Sequence, residues 1–313
     1  MIVNSSATTV KTPTAIALGN FDGIHRGHQI VLQPILSLRS SSIYSSVVSF
    51  DPHPRQFFSG QKLSLLTPKS EKADYLATMG FQQLILITFD QTLSSLSPQD
   101  FVERILVNQL QAQIISIGED FRFGYQRKGT AKDLQKIASE IGIQVHINSL
   151  HKYQNSQQKS VRVSSSLIRE ALSKGELKQA NLMLGRSYQL IGKVVTGKQI
   201  GRTIGFPTAN LQIPIDKFLP RYGVYAVKAF CDVFGNNSVV AGVMNIGCRP
   251  TVKGESPTVE VHLLDWSGDL YNQTITVSLE AFLRSEQKFT SLEDLKKQIA
   301  TDCQRARSKL LLI

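Results

Sequence analysis

Near Gly185 the rhythm of the chain changes, and that change limits the fold more than any other feature of the sequence. Before it, apolar and amphipathic runs alternate. TAIALG (14–19), SSVVSF (45–50), LILITF (84–89), QIISIG (113–118) and IQVHIN (143–148) read as strands. Helical patterns fall between them: from about His25 to Leu38, from Thr67-Pro68 to Gly80, after Ser97-Pro98 with Asp100, and from Ala131 to Ile141. Thr67 is expected to cap its helix, with Pro68 at the first helical position. Such alternation implies a parallel sheet covered by helices, an α/β Rossmann-like layer structure. After Gly185, YQLIGKVVTG, TANLQI, GVYAVKAF, SVVAGVMNIG, TVEVHLLDW and QTITVSLEAF follow closely with no helix between them. This half is expected to form a small antiparallel β-barrel, closed by one C-terminal helix over Ser291–Leu311. SSSLIREALSKGELKQANLMLG (164–185) reads as two short helices parted at Lys174-Gly175, and KYQNSQQKSVRV (152–163) as polar loop. The domain boundary is placed at 184/185, giving domains 1–184 and 185–313.

The 313 residues suffice for two such cores. No apolar run approaches the roughly 20 residues that span a bilayer. MIVNSSATTVKTPT carries neither an apolar signal core nor a cleavage-like site, so a cytoplasmic protein without membrane partners is expected. Cys231, Cys248 and Cys303 are odd in number and form no CxxC, as expected of reduced thiols that hold no metal. A net charge of +11 invites a nucleic-acid reading. Its distribution argues against one: residues 1–184 hold 19 Lys+Arg against 13 Asp+Glu, and residues 185–313 hold 16 against 11. The excess, +6 and +5, is even and forms no basic run, which suits small phosphorylated anions at least as well as a polymer.

Gly19-Asn20-Phe21-Asp22-Gly23 follows the first strand and precedes the first helix. His25 and His28 fall in that helix's first turn, and a spacing of three puts them on one face. Glycines at 23 and 27 let phosphates approach the backbone, where free N–H groups and the helix dipole favour an anion. Two imidazoles there can donate hydrogen bonds to a charged phosphate in the transition state. No protein nucleophile is needed, because the attacking oxygen belongs to the other substrate. Taken alone, a histidine pair at this spacing is more often packed or merely exposed. The setting of strand, glycine turn and helix start distinguishes this one, and GxFDxxHxGH resembles the nucleotidyltransferase signature.

Three further segments narrow the resemblance. FDPHP (50–54) follows the second strand, GEDFRFG (118–124) follows the fourth, and SSSLIR (164–169) opens a helix. Each lies where an open α/β sheet places its ligands. Together they resemble the FMN adenylyltransferase module of the bacterial riboflavin kinase/FAD synthetase family, over essentially all of residues 14–184. The resemblance implies an ATP-binding turn through Gly19, Phe21 and Gly23, with His25, His28, Ser164, Ser165 and Arg169 directed at ATP phosphates. It puts Pro54, Phe58 and Phe123 beside the flavin ring and Asp120 facing one substrate, although such aromatics are as often ordinary core. Asp51 stands where Glu is common and Ser166 where Thr is common; each keeps its functional group.

In the second half, GKVVTGK (192–198) almost spells a P-loop, but Gln199 replaces the required Ser or Thr. IGRTIGFP then ends in proline, so no phosphate-cradling helix is expected, and a glycine-rich loop through Gly197, Gly201 and Gly205 remains. In GFPTAN (205–210), Thr208 and Asn210 lie two apart and project from one face of an extended segment. Both offer hard neutral oxygens suited to Mg²⁺ held jointly with ATP phosphates; a turn-forming PTAN is the plainer alternative. TVEVHLLDW (258–266) alternates, so Glu260 and His262 share a face opposite Val259 and Val261. A barrel strand can thus aim Glu260 at a pocket, where it could accept a hydroxyl proton during phosphoryl transfer, although an exposed glutamate would explain the stretch equally well.

GRTIGFPTAN, LPRYGVYAV, GVMNIGCRPT, VEVHLL and FLRSEQKF, in that order, resemble the riboflavin kinase module of the same family over nearly all of residues 185–313. The resemblance makes Thr208 and Asn210 the Mg²⁺–ATP ligands, places Gly197 and Gly201 at ATP, makes Glu260 the catalytic base and sets Arg284 near the flavin. The expected activity is phosphorylation of riboflavin to FMN, then adenylylation of FMN to FAD with release of pyrophosphate, both using ATP and Mg²⁺. Three alternatives stand beside it. One is a riboflavin kinase whose other module has decayed, against which His25, His28 and Arg169 argue. Another is a tRNA-charging or tRNA-binding protein, which would need an anticodon-recognition domain. The third is a flavin-sensing regulator without turnover.

Overall fold

The computed structural model describes residues 1–4, 10–38, 42–154, 160–197, 200–235, 238–251 and 254–311, and divides into two units, Met1–Ser165 and Ser166–Ile313. The first unit is built on a six-stranded parallel sheet. Its strands are β1 (Ile2–Asn4), β2 (Thr14–Leu18), β3 (Tyr44–Asp51), β4 (Gln83–Thr88), β5 (Ala112–Gly118) and β8 (Gln144–Asn148), in the order β1-β4-β3-β2-β5-β8. A short pair, β6 (Arg122–Phe123) and β7 (Gly129–Thr130), follows β5. The helices are α1 (Arg26–Leu36), α2 (Pro54–Ser59), α3 (Lys69–Thr78), α4 (Gln91–Ser95), α5 (Pro98–Asp100, continued by a π-helical stretch to Gln109) and α6 (Ala131–Glu140).

Helices cover both faces of the sheet, which is why β2 is apolar throughout rather than alternating. Ile16 and Leu18 face one core with Ile115, Val102 and Leu106; Ala15 and Ala17 face the other with Leu32 and Leu76. Each fully buried Leu or Ile contributes about 1.5–3 kcal/mol of apolar burial. Crossovers leave β2 in opposite directions, through β3 to β4 on one side and through β5 to β8 on the other. The loops after β2 and β5 therefore flank the crevice where such sheets bind ligands.

Two elements differ from expectation. Residues 152–163, read as loop, contain the antiparallel strands β9 (Lys152–Gln154) and β10 (Ser160–Arg162), while residues 155–159 lie outside the described residues. A two-stranded ribbon buries little, so its composition stays polar. The N-terminal segment supplies β1, held to β4 by Asn4 Nδ2 donating to Gln83 Oε1 at 3.1 Å.

The second unit is a closed antiparallel barrel. Ahead of the barrel lie α7 (Ser165–Lys174) and α8 (Leu177–Leu184). The barrel strands are β11 (Tyr188–Val195), β12 (Ala209–Gln212), β13 (Gly223–Phe230), β14 (Val239–Thr251), β15 (Gly254–Leu263) and β16 (Thr274–Arg284), ordered β11-β12-β15-β14-β13-β16. One helical turn, α9 (Ile200–Thr203), forms where a helix-free loop was expected; Gly205 at φ +87° follows it. Tyr225, Met244 and Val261 are buried and opposite one another in register, on the barrel's inner face. Val224, Ala226 and Val243 point outward, against Cys303 and Ala306 of α10 (Leu292–Leu311).

The second unit begins ahead of the change of rhythm at Gly185, because α8 packs into it. Leu177, Ala180, Met183 and Leu184 are buried. Asn181 donates to the Leu279 carbonyl at 3.1 Å and accepts from Tyr188 N–H at 2.8 Å.

Candidate active sites

The turn after β2 is strained and buried. Phe21 and Ile24 have φ of 48° and 41°, a region costing a non-glycine residue about 1–3 kcal/mol each unless its surroundings hold it there. The surroundings do so from several sides. Lys72 Nζ, on α3, donates to the Asn20 carbonyl at 2.9 Å and to Ser49 Oγ at 3.3 Å, and Ser49 Oγ donates to the same carbonyl at 3.0 Å. Gly23 N–H donates to Thr67 Oγ at 2.8 Å, Thr67 N–H to Asp22 Oδ1 at 3.1 Å, and Ser165 Oγ to the Asp22 carbonyl at 2.8 Å. Thr67 is thus not the cap of α3: Pro68 holds the cap position with no side-chain bond, and the hydroxyl serves the turn.

Lys72 is buried, and burial lowers its pKa from the ordinary lysine value, while Asp22 and Asp51 pull it back upward. A buried amine therefore lies under the turn. A lone Lys within an amphipathic helix gives no sign of this, and sequence reasoning missed it.

His25 caps α1, and its Nδ1 accepts the His28 N–H at 3.2 Å. An accepting Nδ1 carries no proton, so in the neutral ring the N–H is on Nε2. The two imidazoles stack at 3.6 Å between centroids, 13° from parallel, and Phe21 meets His28 edge-on at 5.3 Å. A Cβ on Gly27 would sit 3.2 Å from the His25 ring, and one on Gly19 would sit 3.2 Å from the Phe21 ring. Both glycines thus make room for the aromatic pieces of the site.

The remaining residues of the first set are placed as follows. Asp120, after β5, is ion-paired with Arg162 of β10. Pro54 starts α2, and Phe58 is 70% exposed at the edge of an aromatic group with Phe57 and Phe89. Phe123 is buried against Phe101, with its ring stacked on the half-exposed Phe121. Ser164 immediately precedes α7. Arg169 lies on α7 within the second unit, over the Phe218 ring at 5.9 Å.

In the barrel, strand register brings the second set together. Asn210 of β12 lies directly opposite Glu260 of β15, which lies opposite Asn245 of β14. Directly opposed residues hold their Cβ atoms about 4.5–5.5 Å apart, so the three polar side chains form a row. They share the outward face with Val243, not the barrel interior. A Cβ on Gly197 would collide with the Asn210 side chain; one on Gly201 would collide with the Phe206 carbonyl and lie 3.3 Å from Thr208 Oγ1. The glycine loop is therefore packed closely against the Asn210 amide and near the Thr208 hydroxyl. Lys198 and Gln199 lie outside the described residues.

Arg284 is paired with α10: its Nε donates to both oxygens of buried Asp302, at 2.9 and 3.1 Å, and its Nη2 lies 2.8 Å from Oδ2. Gln298 donates to the same carboxylate at 2.9 Å, so Arg284 clamps α10 to the end of β16. Sequence reasoning missed Asp302 and Asn245. Alternation had put His262 beside Glu260 without giving it a role. It approaches Pro207, ahead of Thr208.

A FAD synthetase family model matches residues 7–167, and a riboflavin kinase family model matches residues 184–310. The bifunctional riboflavin kinase/FMN adenylyltransferase of Escherichia coli K12 is 40% identical over 296 residues, 93% of this chain and 91% of its own. The chain belongs to the bifunctional riboflavin kinase/FMN adenylyltransferase family. The enzyme carries both transferase modules, one match falling almost wholly in each unit. The counterpart of the same name from Haemophilus influenzae is 36% identical over 97% of this chain and 96% of its own. Among solved structures, a macrolide-efflux protein from Streptococcus pneumoniae superposes with a TM-score of 0.84 and 28% identity, covering 98% of each chain. Among the described residues no helix is long and apolar enough to cross a membrane.

Proposed function

We propose that each transfer is carried out by the side chains assembled in its own unit, aided by Arg169 for adenylylation. The enzyme phosphorylates riboflavin to FMN and adenylylates FMN to FAD, with ATP as co-substrate of both steps. In the kinase reaction, Glu260 takes the proton of the riboflavin hydroxyl as its oxygen bonds to the γ-phosphorus and ADP leaves. Thr208 and Asn210 would hold Mg²⁺ against ATP, and the bound ion neutralises phosphate charge. The donor set fits: two neutral oxygens beside one carboxylate, with glycines where any side chain would block them. Among the described residues no cluster of three acidic, His or Cys side chains offers a competing cage.

In the adenylylation, a phosphate oxygen of FMN attacks the α-phosphorus of ATP and pyrophosphate leaves. His25, through Nε2–H, and His28 donate to the phosphate oxygens as charge develops. Ser164, Ser165 and Arg169 assist at the phosphates, with Gly19, Phe21 and Gly23 forming the turn beneath. Pro54, the exposed Phe58 and Phe123 would border the flavin ring, and Asp120, in the loop after β5, would face one substrate. Cys231, Cys248 and Cys303, none in a disulfide, fit a reducing, cytoplasmic setting. The evenly spread charge fits small anionic ligands and no nucleic-acid partner.

The observation carrying the reading is the Asn210–Glu260 pairing with the glycine loop pressed against it. Purified protein incubated with riboflavin and Mg²⁺–ATP, with flavins separated by chromatography over time, tests it. FMN followed by FAD is expected. FMN alone would mean an inactive adenylyltransferase, and neither product would leave a flavin-binding regulator.

A further inference from the structure

The polar row in the barrel depends on a segment with little regular support. The β12–β15 ladder pairs only Ala209 with Val261 and Asn210 with Glu260. Thr208 lies one residue before that pairing starts, and Pro207 before it has no N–H with which to extend the ladder. Where the ladder stops, a side chain takes over. His262, two residues beyond Glu260 on the same face of β15, has Nδ1 at 2.8 Å from the Pro207 carbonyl oxygen. A carbonyl only accepts, so the proton sits on Nδ1, as it does in both charge states of a ring bonded this way. The same ring meets Phe206 edge-on, 5.5 Å between centroids at 78°. Phe206 N–H in turn donates to the Gly201 carbonyl at 2.8 Å, joining the segment to the glycine loop.

We propose that His262 is a positioning residue for riboflavin phosphorylation. Its Nδ1–H holds the Pro207 carbonyl so that Thr208 and Asn210 present their oxygens beside Glu260. The inference rests on the kinase reading above and assigns His262 no contact with substrate.

The side-chain amide of asparagine can place a donor near the position of Nδ1, whereas that of glutamine reaches toward the position of Nε2. His262→Ala, His262→Asn and His262→Gln in the full-length enzyme therefore separate a hydrogen-bonding role from a packing one. Losing one such bond is worth about three- to tenfold. His262→Ala and His262→Gln should raise the KM for ATP in FMN formation by that factor and weaken Mg²⁺–ADP binding, measured calorimetrically, equally. His262→Asn should stay within about twofold of the parent in both. FAD formation from supplied FMN should be unchanged in all three. Parental Mg²⁺–ADP affinity in His262→Ala would overturn the proposal. So would equal losses in the Asn and Gln variants, which would make the ring a packing element against Phe206. Should His262→Ala fail to show a cooperative thermal transition, the Asn–Gln pair decides alone. Failure of the kinase reading itself shows separately, as a folded Glu260→Gln protein that still phosphorylates riboflavin.

Discussion

Phe21 and Ile24 hold positive φ in a turn tied down on all sides, whereas Thr208 and Asn210 stand at the rim of an ordinary strand. Both regions are proposed to handle ATP phosphates, yet their backbones do so by different means. In the Rossmann-like unit, backbone and helix start form the site, so strain must be held by Lys72, Ser49, Thr67 and Ser165. In the barrel, regular register aligns the side chains, and glycines need only stay out of the way. The strained turn should therefore be sensitive to residues far from any substrate, and the register-built site to the row itself.

The largest expected effect is in the row. Glu260→Gln keeps the shape but cannot take a proton, so FMN formation should fall about 10²–10⁴-fold while supplied FMN is still adenylylated. Normal phosphorylation by the folded variant would remove Glu260 from the chemistry. His28→Ala should show the mirror image. Losing one transition-state donor slows FAD formation by about 10²–10³-fold and leaves FMN formation intact. Equal damage to both activities would mean the histidine only supports the fold.

Lys72→Met sharpens the contrast between the sites. Burial already disfavours the ammonium, so removing it offsets part of the lost bonding, and the Asn20 carbonyl keeps Ser49 as donor. Stability should change by no more than about 2 kcal/mol in chemical unfolding. FAD formation should nonetheless slow by about tenfold, one lost anchor of the turn, with FMN formation unchanged. Unaltered FAD formation would show that Thr67 and Ser165 hold the turn without Lys72.

The smallest effect on activity is expected from trimming the second unit. Residues 166–313 and 185–313 both contain Thr208, Asn210, Glu260 and His262, and both should make FMN and no FAD. Only the longer fragment keeps Leu177, Ala180, Met183 and Leu184, whose burial is worth about 1.5–3 kcal/mol for each large side chain. The longer fragment should therefore melt at clearly higher temperature by calorimetry. Equal melting would mean α8 adds nothing to the barrel.

Local signals made much of this legible. Apolar runs broken by Gly and Pro located the sheet strands and barrel strands. The glycine turn with two histidines marked the first site, and the two-residue alternation at 258–264 put Glu260 and His262 on one face. These features depend on neighbours within a few residues, where backbone periodicity and excluded volume act. Features set by distant pairing were not legible. Asn245 joins the row because β14 pairs with β15 in one register among several conceivable ones. The Arg284–Asp302 pair forms because α10 returns over the outer wall of the barrel. Thr67, read as a helix cap, serves Gly23 across 44 residues of chain.

By itself the sequence determined two modules, their order, and which short segments carry the chemistry, because hydrophobic period and turn residues are written locally. Tertiary structure alone decided which of those polar groups face one another. It put a buried lysine beneath the first turn, a histidine behind the second, and Arg284 of β16 against Asp302 of α10. The reason is geometric: hydrogen bonds and ion pairs act over about 3 Å, and only the folded path of the chain sets which groups come that close.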